Sequence, residues 1–293
     1  MNVRTKGVLM AVSGGTLWGA SGVAGQYLLQ ECAFQPEWLV ASRMIFAGIV
    51  FLAIDAFRSS GHIFDIWKNR RDAFMLIFFA LVGMLLVQYS YFVSIIYGNA
   101  AAATVLQYTM PAFLVVYMSL KSRRLPRPIE ILCVLLAMGG TFLLVTHGSL
   151  ETFVIPLPAL VWGLISGVAG AVYTLSPKGL IRDWNAPLVI GWGMIAGGLP
   201  LSVIAPPWDS TGVWNLYSSL AFIYILIFGT VFAFWLYLGS TQYIQPGEAG
   251  VLASVEPVTA IVISSLLLGQ SFELMDLAGS ALILLTVFIL ARR

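Results

Sequence analysis

Charge is scarce in this sequence. Only 10% of its 293 residues are Asp, Glu, Lys or Arg, against about 25% in a soluble globular domain. A chain so poor in charge cannot clothe a water-facing surface, and 59% hydrophobic content with a mean hydropathy of +0.92 assigns it to lipid. Cysteine and histidine are nearly missing too, with two of each. Cys32 is expected at the outer side and Cys133 near the inner end of another span, so they cannot pair. No Cys/His cluster has metal-ligand spacing, and no phosphate loop or pair of buried aspartates occurs. Neither a metal nor a cofactor is expected.

What the chain does have is long apolar runs. Ten can be read, at 7–29, 37–57, 73–96, 100–120, 128–146, 157–176, 187–205, 216–238, 247–268 and 274–291. Each is near the roughly 20 residues that cross a bilayer as a helix. Fourteen of the 15 Lys and Arg residues fall in segments that face one side if the amino terminus is cytoplasmic, and Arg43 alone lies inside a span. Basic residues favour the cytoplasmic side, so both termini are expected inside, with ten spans between. The first run follows Arg4 and Lys6 but is too long for a signal peptide and lacks a small-residue cleavage site, so it is kept as a span.

The two halves resemble each other. A shift of 146 residues lays Pro111 on Pro257, Tyr91 on Tyr237, Ser94 on Ser240, Tyr97 on Tyr243 and Gly83 on Gly229. The pentapeptide SGVAG recurs at 21–25 and 166–170. The expected fold class is therefore all-α and integral to the membrane, with ten helices in two repeats, 1–150 and 151–293. Five spans per repeat is an odd number, so the copies insert in opposite senses, the inverted plan of many secondary transporters.

The stretch from Gly247 to Gly269 carries Glu256 near its middle and Pro257 directly after it. Glu256 lies about 14 Å from the inner and 18 Å from the outer end at 1.5 Å per residue. A deep carboxylate is costly and normally faces a bundle interior or a watery cavity. It reads either as an anchor for a substrate amine, as a proton-binding group, or as a structural carboxyl hydrogen-bonded to a neighbouring helix. Arg43, deep in the second span, can snorkel outward, pair with Glu256 or hold a substrate carboxylate. Gln88, Tyr91, Gln107 and Tyr108 put polar atoms in the third and fourth spans, and Trp18, Trp162, Tyr173 and Trp235 are aromatics away from the interfacial belts. Together with Glu256 and Arg43 these form the candidate substrate-binding set, with packing as the plain alternative for each aromatic. Pro111 and Pro257 break the helix ladder and are the candidate hinges.

One hydrolytic motif is present. Gly19-Ala20-Ser21-Gly22 fits the G-x-S-G pattern of intramembrane serine proteases, but His62 and His147 fall in loops on opposite sides, so no base can reach it. No catalytic residues are assigned and no enzyme is expected.

LWGASG at 17–22, the arginine in the second span, V-E-P-V at 255–258 and the following S-L-L-L-G-Q together resemble the EamA-type drug/metabolite transporters. The resemblance covers nearly the whole chain. It implies a ten-helix inverted-repeat fold that moves small metabolites, often amino acids outward, by alternating access, with the fifth and tenth helices outside the central cavity. Trp18, Arg43, Pro111, Glu256 and Pro257 match the family pattern. Gln270 departs from it, standing where members commonly carry glutamate after leucine-glycine. The reading is thus an inner-membrane exporter of an amino acid or related metabolite. A nucleotide-sugar carrier, a multidrug carrier and a non-transporting receptor or scaffold are its rivals. The expected partners are a small-molecule substrate and the lipid bilayer, without nucleic acid, and a homodimer is allowed.

Overall fold

The computed structural model describes residues 3–58, 63–121, 123, 125, 127–148, 154–210, 212–244 and 246–291. His62, Arg124, Arg292 and Arg293 lie outside these. Helices are the only regular elements among the described residues, with no strand. α1 (Val3–Gln26) runs into a π-helical turn, Tyr27–Glu31, and α2 (Pro36–Arg58) follows. α3 (Arg70–Phe78) and α4 (Leu86–Tyr97) are halves of one rod joined by a π segment, Phe79–Leu85. α5 (Ala100–Gln107) and α6 (Met110–Lys121) are separated at Tyr108 and Thr109. Then come α7 (Pro128–Thr146), α8 (Leu157–Leu175), a short α9 (Lys178–Asp183) and α10 (Ala186–Ile204). A second π-jointed rod comprises α11 (Leu216–Leu226), Ile227–Phe232 and α12 (Ala233–Ser240). α13 (Pro246–Ala253) and α14 (Val255–Leu268) flank Ser254, and α15 (Leu274–Ala291) ends the fold.

Seven helical stretches are long and apolar enough to cross a membrane, and three further apolar helices, Pro128–Leu144, Val255–Leu268 and Leu274–Thr286, are shorter. The ninth run of the sequence is thus divided, because Ser254 takes φ −67° and ψ 3° and interrupts the ladder. Helix starts are set locally. The side chains of Asn99, Asn185 and Asn215 accept from the backbone N–H of Ala102, Leu188 and Ser218 at 2.8–2.9 Å, satisfying donors that a helix leaves free at its start. Cys32 and Cys133 are buried and unbridged.

The packing repeats along the chain. α4, α5 and α6 all pack on α8, while α12, α13 and α14 all pack on α1. The 146-residue shift carries Ala100–Gln107 onto 246–253, the bounds of α13. α2 packs on α10 and α7 on α15, each pairing one helix with its counterpart in the other half. In lipid such contacts depend on close van der Waals approach, which small residues permit. A Cβ on Gly15 would stand 2.6 Å from the Ala253 carbonyl oxygen, and one on Gly19 would stand 2.5 Å from that of Glu256. The glycines of α1 therefore press its backbone against the interruption at Ser254.

Candidate functional site

The interrupted pairs α5/α6 and α13/α14 meet at their interruptions. Tyr108, at the carboxy-terminal end of α5, donates to the Ala253 carbonyl at 3.0 Å and lies 3.2 Å from the Glu256 carboxylate oxygen Oε2. Ala253 is the last residue of α13 and Glu256 sits in the first turn of α14. The hydroxyl thus takes up a carbonyl that the broken helix frees, and it reaches the one carboxylate placed there.

Glu256 is 8% exposed. Holding a charge at such depth is costly, about 2.5–3.5 kcal/mol on insertion scales, and Arg43 is a cation near it. It lies within electrostatic reach of both Glu256 and Tyr91, although no direct ion pair joins it to Glu256. Its guanidinium rests 5.2 Å from the centre of the Phe92 ring. Arg43 is 6% exposed, so it does not snorkel outward; burial against α4 overturns that option.

Tyr91 donates to Thr104 at 2.9 Å, whose own hydroxyl donates to the Ala100 carbonyl, and lies in electrostatic reach of Glu256 and Arg43. Tyr237 is in reach of Glu256 as well, and Tyr173 of Tyr237. Trp18 packs against Tyr237 and Phe234 with ring centres 5.1 Å apart in each case. Gln88 is buried one helical turn from Phe92. The structure therefore brings together Trp18, Arg43, Tyr91, Tyr108, Tyr173 and Glu256, with Gln88 one turn along α4 from Phe92.

Three of the candidates make other contacts or are exposed. Trp162 sits edge-on to Tyr89 at 5.9 Å, and Tyr89 donates to Glu37 at 2.6 Å, a separate group near the starts of α2 and α8. Gln107 is bound to Ser166, which in turn donates to the Val87 carbonyl, so it serves as a tie to α8. Trp235 is 38% exposed on the same outward stripe as Phe228 and Phe232. No contact between Trp235 and the Glu256 group is described.

The prolines are placed differently from the expected mid-helix kinks. Pro111 is the second residue of α6 and Pro257 the third of α14, in the first turns where a missing N–H breaks no bond. The interruptions themselves are at Tyr108–Thr109 and Ser254.

Several residues escaped sequence reasoning. Gln26 is buried and accepts from the Ala100 N–H at 2.8 Å, which fastens α1 to the start of α5. Asp55 is 2% exposed and accepts from Asn185 at 2.6 Å, while Glu130 is tied to the Arg127 N–H at 2.7 Å. These two carboxylates are buried at helix ends, not beside the interruptions. Tyr237 was visible through the repeat, as the counterpart of Tyr91. A cavity of about 490 Å³ lies elsewhere, between α6, α7 and α8, lined by Phe113, Val116, Val134, Met138 and Leu164 among others. It is apolar and shares no residue with the Glu256 cluster.

A bundle of apolar helices, with a carboxylate, an arginine and tyrosines gathered where two helices are interrupted, has the make-up of a multi-pass membrane transporter. A model of the EamA-like transporter family matches the chain twice, over residues 5–146 and 157–292. The chain belongs to the EamA-like transporter family. It is 37% identical over 294 residues to an uncharacterized inner membrane transporter, YicL, of Salmonella typhimurium, covering 99% of this chain and 97% of the relative. An uncharacterized transporter of Archaeoglobus fulgidus is 25% identical over 287 residues, covering 95% and 96%. Among solved structures, a crystal structure with 18% identity shares the fold at a TM-score of 0.64, covering 99% of each chain.

Proposed function

We propose that this protein is a secondary transporter that exports a small polar organic solute, an amino acid or related metabolite, across the inner membrane by alternating access. On this reading ten spans form two inverted five-helix repeats, 1–150 and 151–293, with both termini cytoplasmic. The observation that carries it is the meeting of the two interruptions through Tyr108, Ala253 and Glu256. Interrupted helices near the middle of a bundle are where transporters of repeated architecture bind solute and flex. The repeated packing of α4–α6 on α8 and of α12–α14 on α1 supports two related halves that rock against each other. Pro111 and Pro257, each opening a half-helix next to an interruption, are the flexing points. The name of the Salmonella relative supports the inner membrane.

Glu256 then either anchors the solute's amine or carries a proton. The test is export itself. Cells overexpressing the protein are challenged with toxic amino-acid analogues, and intracellular accumulation of each is measured. Resistance with lowered accumulation of one chemical class is the expected result. Equal accumulation with and without the protein, across the panel, would rule out this substrate class.

A further inference from the structure

Around the Glu256 cluster most buried polar groups are already engaged. Tyr91 is bonded to Thr104, Tyr108 to Ala253 and Glu256, Gln107 to Ser166, and Gln26 to Ala100 and Gln30. Among the described residues eight side chains, Ser21, Ser42 and Ser264 among them, keep a buried polar atom without a partner, and Gln88 and Arg43 are the two that border Phe92. Neither Nε2 nor Oε1 of Gln88 has a hydrogen-bond partner, although Gln88 is 8% exposed. Nε of Arg43, at 6% exposure, has none either. Buried amide and guanidinium groups left without partners are rare in folded proteins because water has been taken from them and nothing returned. A ligand that supplies the missing bonds is one explanation, and placement favours it.

Gln88 and Phe92 are a single turn apart on α4, and the Arg43 guanidinium rests over the Phe92 ring. Tyr91, three residues from Gln88, is in electrostatic reach of both Arg43 and Glu256. The open valences therefore sit on α4 and α2, on either side of the Phe92 ring. They comprise the Arg43 Nε–H, the two N–H donors of the Gln88 amide, and its carbonyl acceptor. A carboxylate accepts from the first two groups. An ammonium one carbon away donates to the third.

Resting on the transporter reading above, we infer that Arg43 and Gln88 read the α-amino-carboxylate end of the solute. Arg43 and the Gln88 amide nitrogen take its carboxylate, and the Gln88 carbonyl takes its ammonium. Glu256 then stays with Tyr108 at the interruption and does not hold the amine. Its part is in the conversion between states, not in recognition. Of the two roles left open for Glu256, this removes the amine anchor.

The experiment uses the purified full chain in detergent, with thermal shift and equilibrium binding against the proteinogenic L-amino acids. Any binder is then compared with its decarboxylated amine, its deaminated acid and its amide. Each analogue should bind at least about tenfold more weakly, the worth of one charge-assisted hydrogen bond. Gln88→Leu and Arg43→Lys should lose a similar factor while eluting as folded protein, and Glu256→Gln should bind like the wild type but fail to transport. Gln88→Glu, which keeps the shape and adds a negative charge, should also lose binding, so that loss is not attributable to a cavity. Unchanged binding in Gln88→Leu would overturn the inference, since the amide then holds only a water. Loss of binding in Glu256→Gln would overturn the assignment of poles. If no amino acid binds but another solute is still moved, this site assignment falls while the transporter reading stands. If no solute moves at all, both fall.

Discussion

Tyr108 does two jobs with one hydroxyl, capping the Ala253 carbonyl and reaching Glu256, so its replacement separates local from distant effects. Tyr108→Phe should lower stability by about 0.6–1.7 kcal/mol, the range for hydrogen bonds between membrane helices. A double-mutant cycle with Glu256→Gln in reversible unfolding should show coupling of at least a few tenths of a kcal/mol. Strict additivity would mean the 3.2 Å contact carries no weight. At this scale the sequence was informative where a residue is chemically out of place. Glu256 and Arg43 stand out in apolar runs because their burial is expensive, and both are at the centre. Trp235 shows the converse. A span that is apolar on all sides carries no phase signal, so an exposed tryptophan reads like a buried one. The open valences of Gln88 were likewise illegible, since Gln107, of the same type, donates to Ser166 of α8.

Between elements, α7 and α15 are held at two levels. In the middle, a Cβ on Gly140 would stand 2.6 Å from the Gly279 carbonyl oxygen, and one on Gly279 would stand 2.7 Å from that of Gly140. Gly140→Leu should push the helices apart and cost about 1–3 kcal/mol, the usual penalty of overpacking, seen as a lower unfolding midpoint. An unchanged midpoint would mean the interface is loose. Just beyond the end of α7, His147 contacts Asp276 at 2.8 Å and Glu273 at 3.3 Å. The bond to Asp276 raises the imidazole above its ordinary range, against burial, and the charges of Asp276 and Glu273 add to it. A raised folded value means the contribution is complete below the unfolded histidine range, near about 6.5, and is lost as pH rises through the folded value. The unfolding midpoint should therefore fall over that interval, and His147→Asn should remove that part of the pH dependence. A profile identical in the variant would contradict the tie. The π segments at Phe79–Leu85 and Ile227–Phe232 had no sequence signal beyond the aligned Gly83 and Gly229. The interruptions were legible only by proxy, because prolines mark the first turn after a break while Tyr108 and Ser254 make it.

Across the whole molecule, repetition and its failures matter equally. The 146-residue shift reproduces helix bounds and packing, yet it sets Met110 opposite Glu256 and Ser254 opposite Tyr108. The halves share a frame while each supplies one partner of the central contact. That economy was visible in the aligned prolines and tyrosines, but the pairing of Tyr108 with Glu256 was not, since the residues are 148 positions apart and on different rods. The charge distribution supplies a prediction at this scale. Fluorescent reporters that mature only in the cytoplasm should glow when fused to either terminus, if the basic segments lie inside as proposed. A dark fusion at either end would reverse the proposed orientation.

The central claim is that a solute crosses by motions about the contact between Tyr108, Ala253 and Glu256. Its most direct test is counterflow in proteoliposomes loaded with the exported solute, comparing wild type with Glu256→Gln at equal, verified insertion. The account predicts exchange by the wild type and none by Glu256→Gln. Exchange by the variant at the wild-type rate would contradict it.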